Sequence, residues 1–266
     1  MIALLALLAC GSSEAPKLRT PIPKHIAFAT PQEAILEVMK SEPKVLGIGE
    51  FHATGDGPKV RTTIDHFIVD ILPVLAPKTT DLVIETWVVD GSCGKAEAAV
   101  EVELEVKLDR PEVVADDIAR LAKTAKELGV QPHALTLSCD DYAGILDDQG
   151  ELVMGDLLKV LTAKQQTLAL QALDMENARV VLYGGAVHND VHPSEFAAEY
   201  SYGTTLRERA GDKYVELDIY VPELVGGIDG LEEEPWFKLL DVAGPAKTLL
   251  HERSPGSFIM VLNSSK

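Results

Sequence analysis

Short apolar runs, separated by amphipathic stretches of helical period, constrain this chain more than any other feature. KVLGIG (Lys44–Gly49), DLVIET (Asp81–Thr86), HALTLSC (His133–Cys139) and ARVVLYGG (Ala178–Gly185) are bounded by polar or glycine residues. Each reads as a buried strand. ARVVLYGG carries its apolar residues without alternation, as a strand covered on both faces does. Between the runs lie helices. Thr30-Pro31-Gln32-Glu33 is a capped start, with Ile35, Leu36 and Met39 on one face and an end near Ser41. Ile64, Phe67, Ile68, Ile71 and Leu72 follow the helical pattern up to Pro73, which ends or kinks it. Val114, Ile118, Leu121, Ala125 and Leu128 form a stripe stopped by Gly129, and Gly155 to Leu173 is helical. KYVELDIYV and SFIMVLN supply two strands near the C-terminus. The alternation predicts an α/β fold. Its central sheet is mostly parallel with helices on both faces, and the C-terminal strands are open to antiparallel pairing.

One α/β domain is expected over residues 25–266, with an insertion at about 89–110 where VEVELEVKL (Val100–Leu108) alternates as a strand would. The N-terminus differs. MIALLALLAC places nine apolar residues before Cys10, in the manner of a lipoprotein signal peptide, and residues 11–24 read as a tether. Lipidation at Cys10 would hold the protein at a membrane surface of the bacterial cell envelope. Cys93 and Cys139 then remain as a pair, both just beyond strand ends, and an exported protein can join them as a disulfide. The net charge of −18 argues against nucleic acid as a partner, since a phosphate backbone requires a basic footprint.

The polar residues that follow the strands are the candidate site. Glu50 and His52 follow the first, Glu85 ends the second, Asp140 and Asp141 follow the third, and GGAVHND delivers His188, Asn189 and Asp190 after the fourth, with His192 beyond. In a parallel sheet these positions share the carboxyl edge, where ligands bind. Glutamate and neutral histidine are general bases. Two histidines and a carboxylate (His52, His188 and Glu50) can also hold a divalent metal with positions left for water or substrate. Trp87 and Tyr183 flank the proposed site. His25, His66 and His251 read as solvated, and His133 as structural.

LGIGEFHA, VIETW and VVLYGGAVHND, in this order, resemble the superfamily of ChaN-like haem-binding uptake lipoproteins, erythromycin esterases and Tiki/TraB metal-dependent proteases. YGTTLRERAGDKYVELDIY is similar to a segment of its esterase-like members. The resemblance spans roughly Lys44 to Tyr220 and implies Glu50, His52, Glu85 and His188 as the site. One residue, not two, separates Glu50 from His52, which is closer to the ChaN-like and Tiki-like forms. Two expectations follow. The first is a hydrolase of ester or peptide type, acting on a small-molecule or peptide substrate directly or through a divalent metal. The alternative is a haem-binding, iron-uptake lipoprotein without catalysis.

Overall fold

The computed structural model describes residues 21–52, 58–94, 97, 100, 112–226, 228 and 230–263, with the side chains of 112–115 excepted. Cys10 and the tether up to residue 20 lie outside the described residues, as does most of VEVELEVKL. The strands are β1 (Ile26–Phe28), β2 (Val45–Glu50), β3 (Asp81–Val89), β4 (Gln131–Leu137), β5 (Val180–Gly185), β6 (Tyr214–Tyr220), β7 (Thr248–Ser254) and β8 (Ser257–Val261). They form one sheet in the order β1-β7-β8-β6-β2-β5-β3-β4. β2 runs parallel to β5 and β6, β3 parallel to β4 and β5, and β6 parallel to β8. β7 is antiparallel to β8 and to β1, closing the C-terminal side as a hairpin turned at Pro255-Gly256.

Strand alternation sorts the core into two layers. On the first face Leu46, Ile48, Leu82, Val181, Tyr183 and Leu217 pack with α1 (Pro31–Val38), α2 (Thr63–His66), α3 (Leu72–Leu75) and α4 (Glu112–Glu127). On the second, Val45, Val83, Leu135, Leu182 and Tyr214 pack with α5 (Cys139–Gly144), α6 (Met154–Asp174) and α8 (Gly203–Ala210). Between β5 and α8 lies a single turn of helix, α7 (Ala186–Asn189). Pro73 does not end the second predicted helix. A π-helical segment, Phe67–Ile71, absorbs the proline's missing donor and its ring, and the helix continues to Leu75.

The chain leaves β2 toward the first face and leaves β5 toward the second. The two strands are neighbours, with Glu50 beside Gly185 in register. Divergent loops from adjacent parallel strands open a crevice at their carboxyl ends. Beyond β3, Cys93 is disulfide-bonded to Cys139 at the start of α5, with a Cα–Cα distance of 5.1 Å. Among the described residues no helix is long and apolar enough to cross a membrane.

The crevice depends on bare backbone in β2. A Cβ on Gly49 would lie 2.4 Å from Asp218 Oδ1 and 2.6 Å from the Ala186 Cα. Gly49→Ala is expected to cost about 1–3 kcal/mol, because the α7 backbone must move to admit it. Urea unfolding reads the loss, and an unchanged midpoint would contradict this packing.

Candidate functional site

Glu50 shares its face of β2 with Leu46 and Ile48, whereas Glu85 lies against Gly184, on the other side of the sheet from Tyr183. The two carboxylates approach the same edge from opposite layers, and only glycine stands between them. A Cβ on Gly184 would lie 2.3 Å from Glu85 Oε2. One on Gly185 would lie 3.1 Å from His52 Nε2, 3.6 Å from Glu85 Oε2 and 3.7 Å from His188 Cδ2. The Gly184-Gly185 pair is therefore the point around which Glu50, His52, Glu85 and His188 gather.

Two pairs result. In the first, His52 Nδ1 is 2.8 Å from Glu50 Oε1, and the Tyr183 hydroxyl donates to Glu50 Oε2 at 2.5 Å. Burial, then the neighbouring Glu50 charge, pushes the Tyr183 phenol well above its ordinary value, so it stays a donor. With Nδ1 donating to Glu50, the lone pair of a neutral His52 ring lies on Nε2, the nitrogen facing Gly185. In the second pair, His188 Nε2 is 3.4 Å from Glu85 Oε1 and the Gly185 N–H donates to Glu85 Oε2 at 2.6 Å. His188 Nδ1 is 2.8 Å from the Tyr200 carbonyl oxygen and 2.9 Å from Thr162 Oγ1. Burial works to raise the Glu85 carboxyl, but His188, His52 and the Gly185 N–H outweigh it and hold it down to about 2. Burial likewise works to lower His188 and is overcome by Glu85 and the Tyr200 carbonyl, so the imidazole rises. The second pair is thus a buried carboxylate beside a buried imidazole, whose Nε2 side faces Glu85 and whose Nδ1 side faces the Tyr200 carbonyl and the Thr162 hydroxyl.

A cavity of about 20 Å³ lies among Glu50, His52, Glu85, Tyr183, Gly184, Ile64, Ile84 and Ile118. One water molecule needs roughly 10–15 Å³ on this measure. Among the described residues no three His, Cys, Asp or Glu side chains stand in an arrangement that could hold a metal ion. The carboxylate oxygens are instead turned toward His52, Tyr183, His188 and the Gly185 N–H. The described residues therefore do not fit a divalent metal.

Other residues singled out in the sequence lie elsewhere. Asp141 caps α5 together with Ser138 and takes Lys164 at 2.8 Å, and Asp140 lies in the same first turn. His66, expected on the surface, is buried, with Nδ1 2.9 Å from Asp70 Oδ2 one helical turn on. His133 meets Asp81 at the amino edge, 2.7 Å away. His192 is 2.8 Å from Ser254 Oγ and His251 contacts the Lys24 carbonyl. Trp87 donates to the Tyr142 hydroxyl at 2.9 Å.

A second charged cluster was not legible beforehand. Glu216 and Asp218 on β6 are buried and share one cation, Arg253 of β7, with Asp190. Asn189 Nδ2 donates to Asp218 Oδ1 at 2.9 Å and so ties α7, which carries His188, to this cluster. Burial, opposed by Arg253, raises the Asp218 carboxyl to about 7. Glu216 is raised as well, by burial and by Asp218.

No protein-family model matches the chain, and no curated protein matches it in sequence. Solved structures resemble it distantly. A type III effector, HopBA1, aligns over 93% of this chain and 98% of its own at 12% identity, with a TM-score of 0.44. A succinoglycan biosynthesis protein aligns over 86% of this chain and 90% of its own at 8% identity and TM-score 0.40. ChaN of Campylobacter jejuni, solved with cofacial haem, aligns over 90% of this chain and 97% of its own at 13% identity and TM-score 0.40. Likeness at this level assigns neither family nor activity.

A carboxyl whose folded value stands above its unfolded one binds its proton more tightly in the native state, so its contribution to stability is lost as pH rises. For Asp218 that window runs from the ordinary carboxylate range to about 7. Asp218→Asn is expected to lose less stability than the wild type between roughly pH 4 and pH 7. Urea midpoints across that range check it, and parallel curves would refute the assignment.

Proposed function

We propose that the Glu50–His52 pair activates water and that the protein is a hydrolase of ester or peptide type. The observation that carries this reading is a histidine oriented by a buried carboxylate beside a cavity of one water's size. Glu50, held on its far side by Tyr183, fixes the His52 ring so that Nε2 takes a proton from water as the oxygen attacks an acyl carbon, and returns that proton to the leaving alcohol or amine as its bond to the acyl carbon breaks. No step passes through a metal.

His52→Ala and Glu50→Gln are expected to reduce turnover by roughly 10²–10⁴-fold, the range of a lost general base. An ester and peptide substrate panel measures this. Full turnover in both variants would remove the base role.

Haem binding is the second reading. It draws on the ChaN-like motifs, and one feature of the site favours it: His52 is by far the most exposed of the four residues, with 36% of its side chain exposed against 8% for Glu50, 6% for Glu85 and 2% for His188. Hemin titration separates the readings. On the haem reading the wild type gives a shifted Soret band and His52→Ala does not, whereas on the hydrolase reading hemin leaves turnover unchanged. In either case the reading places the protein in the bacterial cell envelope, anchored through Cys10. The apolar start of the sequence supports this, as does the Cys93–Cys139 disulfide, since such bonds persist in oxidising compartments.

A further inference from the structure

Gln165 is fully buried on α6, and neither its amide nitrogen nor its carbonyl oxygen has a hydrogen-bond partner among the described residues. Leaving such groups unpaired in a core is costly, so an apolar residue would serve this helix face better if packing were all that was required. The amide also has a direction. Gln165 Nε2 lies 3.2 Å from the place a Cβ on Gly184 would occupy, and Glu85 Oε2 lies 2.3 Å from that same place. The amide nitrogen and the Glu85 carboxylate oxygen therefore border the same space above the bare backbone of Gly184. Thr162, three residues earlier on α6, reaches His188 Nδ1, so one stripe of α6 attends both members of the buried pair.

We propose that Gln165 and Glu85 hold one buried water between α6 and Gly184, which makes Gln165 a positioning residue for Glu85. The Gln165 N–H donates to the water oxygen, and the water donates to Glu85 Oε2. Glu85 then has donors in this water, in the Gly185 N–H and in His188, enough to keep a buried carboxylate in one orientation. The inference rests on reading the Glu85–His188 pair as part of the site, but its tests do not use turnover.

In the wild-type protein, water-selective NMR should give the Gln165 side-chain amide protons a cross-peak with the sign of a long-lived bound water. Its absence overturns the proposal without requiring any variant. Gln165→Met keeps the shape and removes both polar groups. In this variant the Gly185 amide proton, which bonds to Glu85, is expected to exchange with solvent about tenfold faster, the net contribution of one hydrogen bond, while β6 amides are unchanged. Unchanged Gly185 exchange overturns the proposal. So does a higher melting temperature, the result expected of a merely unpartnered amide. Loss of the activity reading in His52→Ala would leave both measurements standing, so the two failures are distinguishable.

Discussion

The buried contact between Glu85 and His188 sets the terms for everything around it. A carboxylate and an imidazole taken from water are costly unless each hydrogen-bonding position is met. The surroundings meet them: the Gly185 N–H on one carboxylate oxygen, and the Tyr200 carbonyl and Thr162 hydroxyl at the far ring nitrogen. Glu85 reaches Gly185 because Gly184 has no side chain to stop it. The glycine pair at the end of β5 is thus a steric requirement of the pair. A substitution there would act through Glu85 before it acted on the strand.

Much of this was visible in the residues. A strand that is apolar throughout, ended by glycine and followed by histidine, announced β5 and its place in the sheet. Gly-Glu-Phe-His after β2 announced the other half of the site, because strand ends in a parallel sheet converge without long-range information. What failed to show depended on partners distant in sequence. His66 lies on the polar side of its own helix, yet it is buried and bonded to Asp70. Glu216 and Asp218 alternate with apolar neighbours, as on a half-solvated strand, but the cation that permits their burial is Arg253, on a strand whose own sequence mixes apolar and polar residues. Tyr183 flanks the site in sequence, and only its bond to Glu50 on the neighbouring strand gives its hydroxyl a task.

The Arg253 cluster matters to the site because Asn189 belongs to both. Its side chain bonds to Asp218, and the residue before it on α7 is His188. A helix of one turn has little stability of its own. Here it is fastened to Asp218, to the Gly47 carbonyl and, through its own carbonyl, to the Tyr214 hydroxyl. The imidazole is therefore placed by hydrogen bonds to β2 and β6 as well as by the strand that leads into it.

These attachments make β2 the organising strand. Its first face carries Glu50 to the edge, and its second face, past Val45, is bare at Gly47 and Gly49 so that α7 can lie close and bring His188 over β5. Were either glycine to carry a side chain, α7 would be pressed away, since a Cβ on Gly49 would lie 2.6 Å from the Ala186 Cα and one on Gly47 3.0 Å from the Asn189 Cβ. The two pairs would then separate, and the cavity between them would open beyond the size of a single water. The closeness of the pairs and the smallness of the cavity are one fact, and it comes from bare backbone at positions 47, 49, 184 and 185. Such a chamber has room for about one water molecule, and His52 stands at its outer rim.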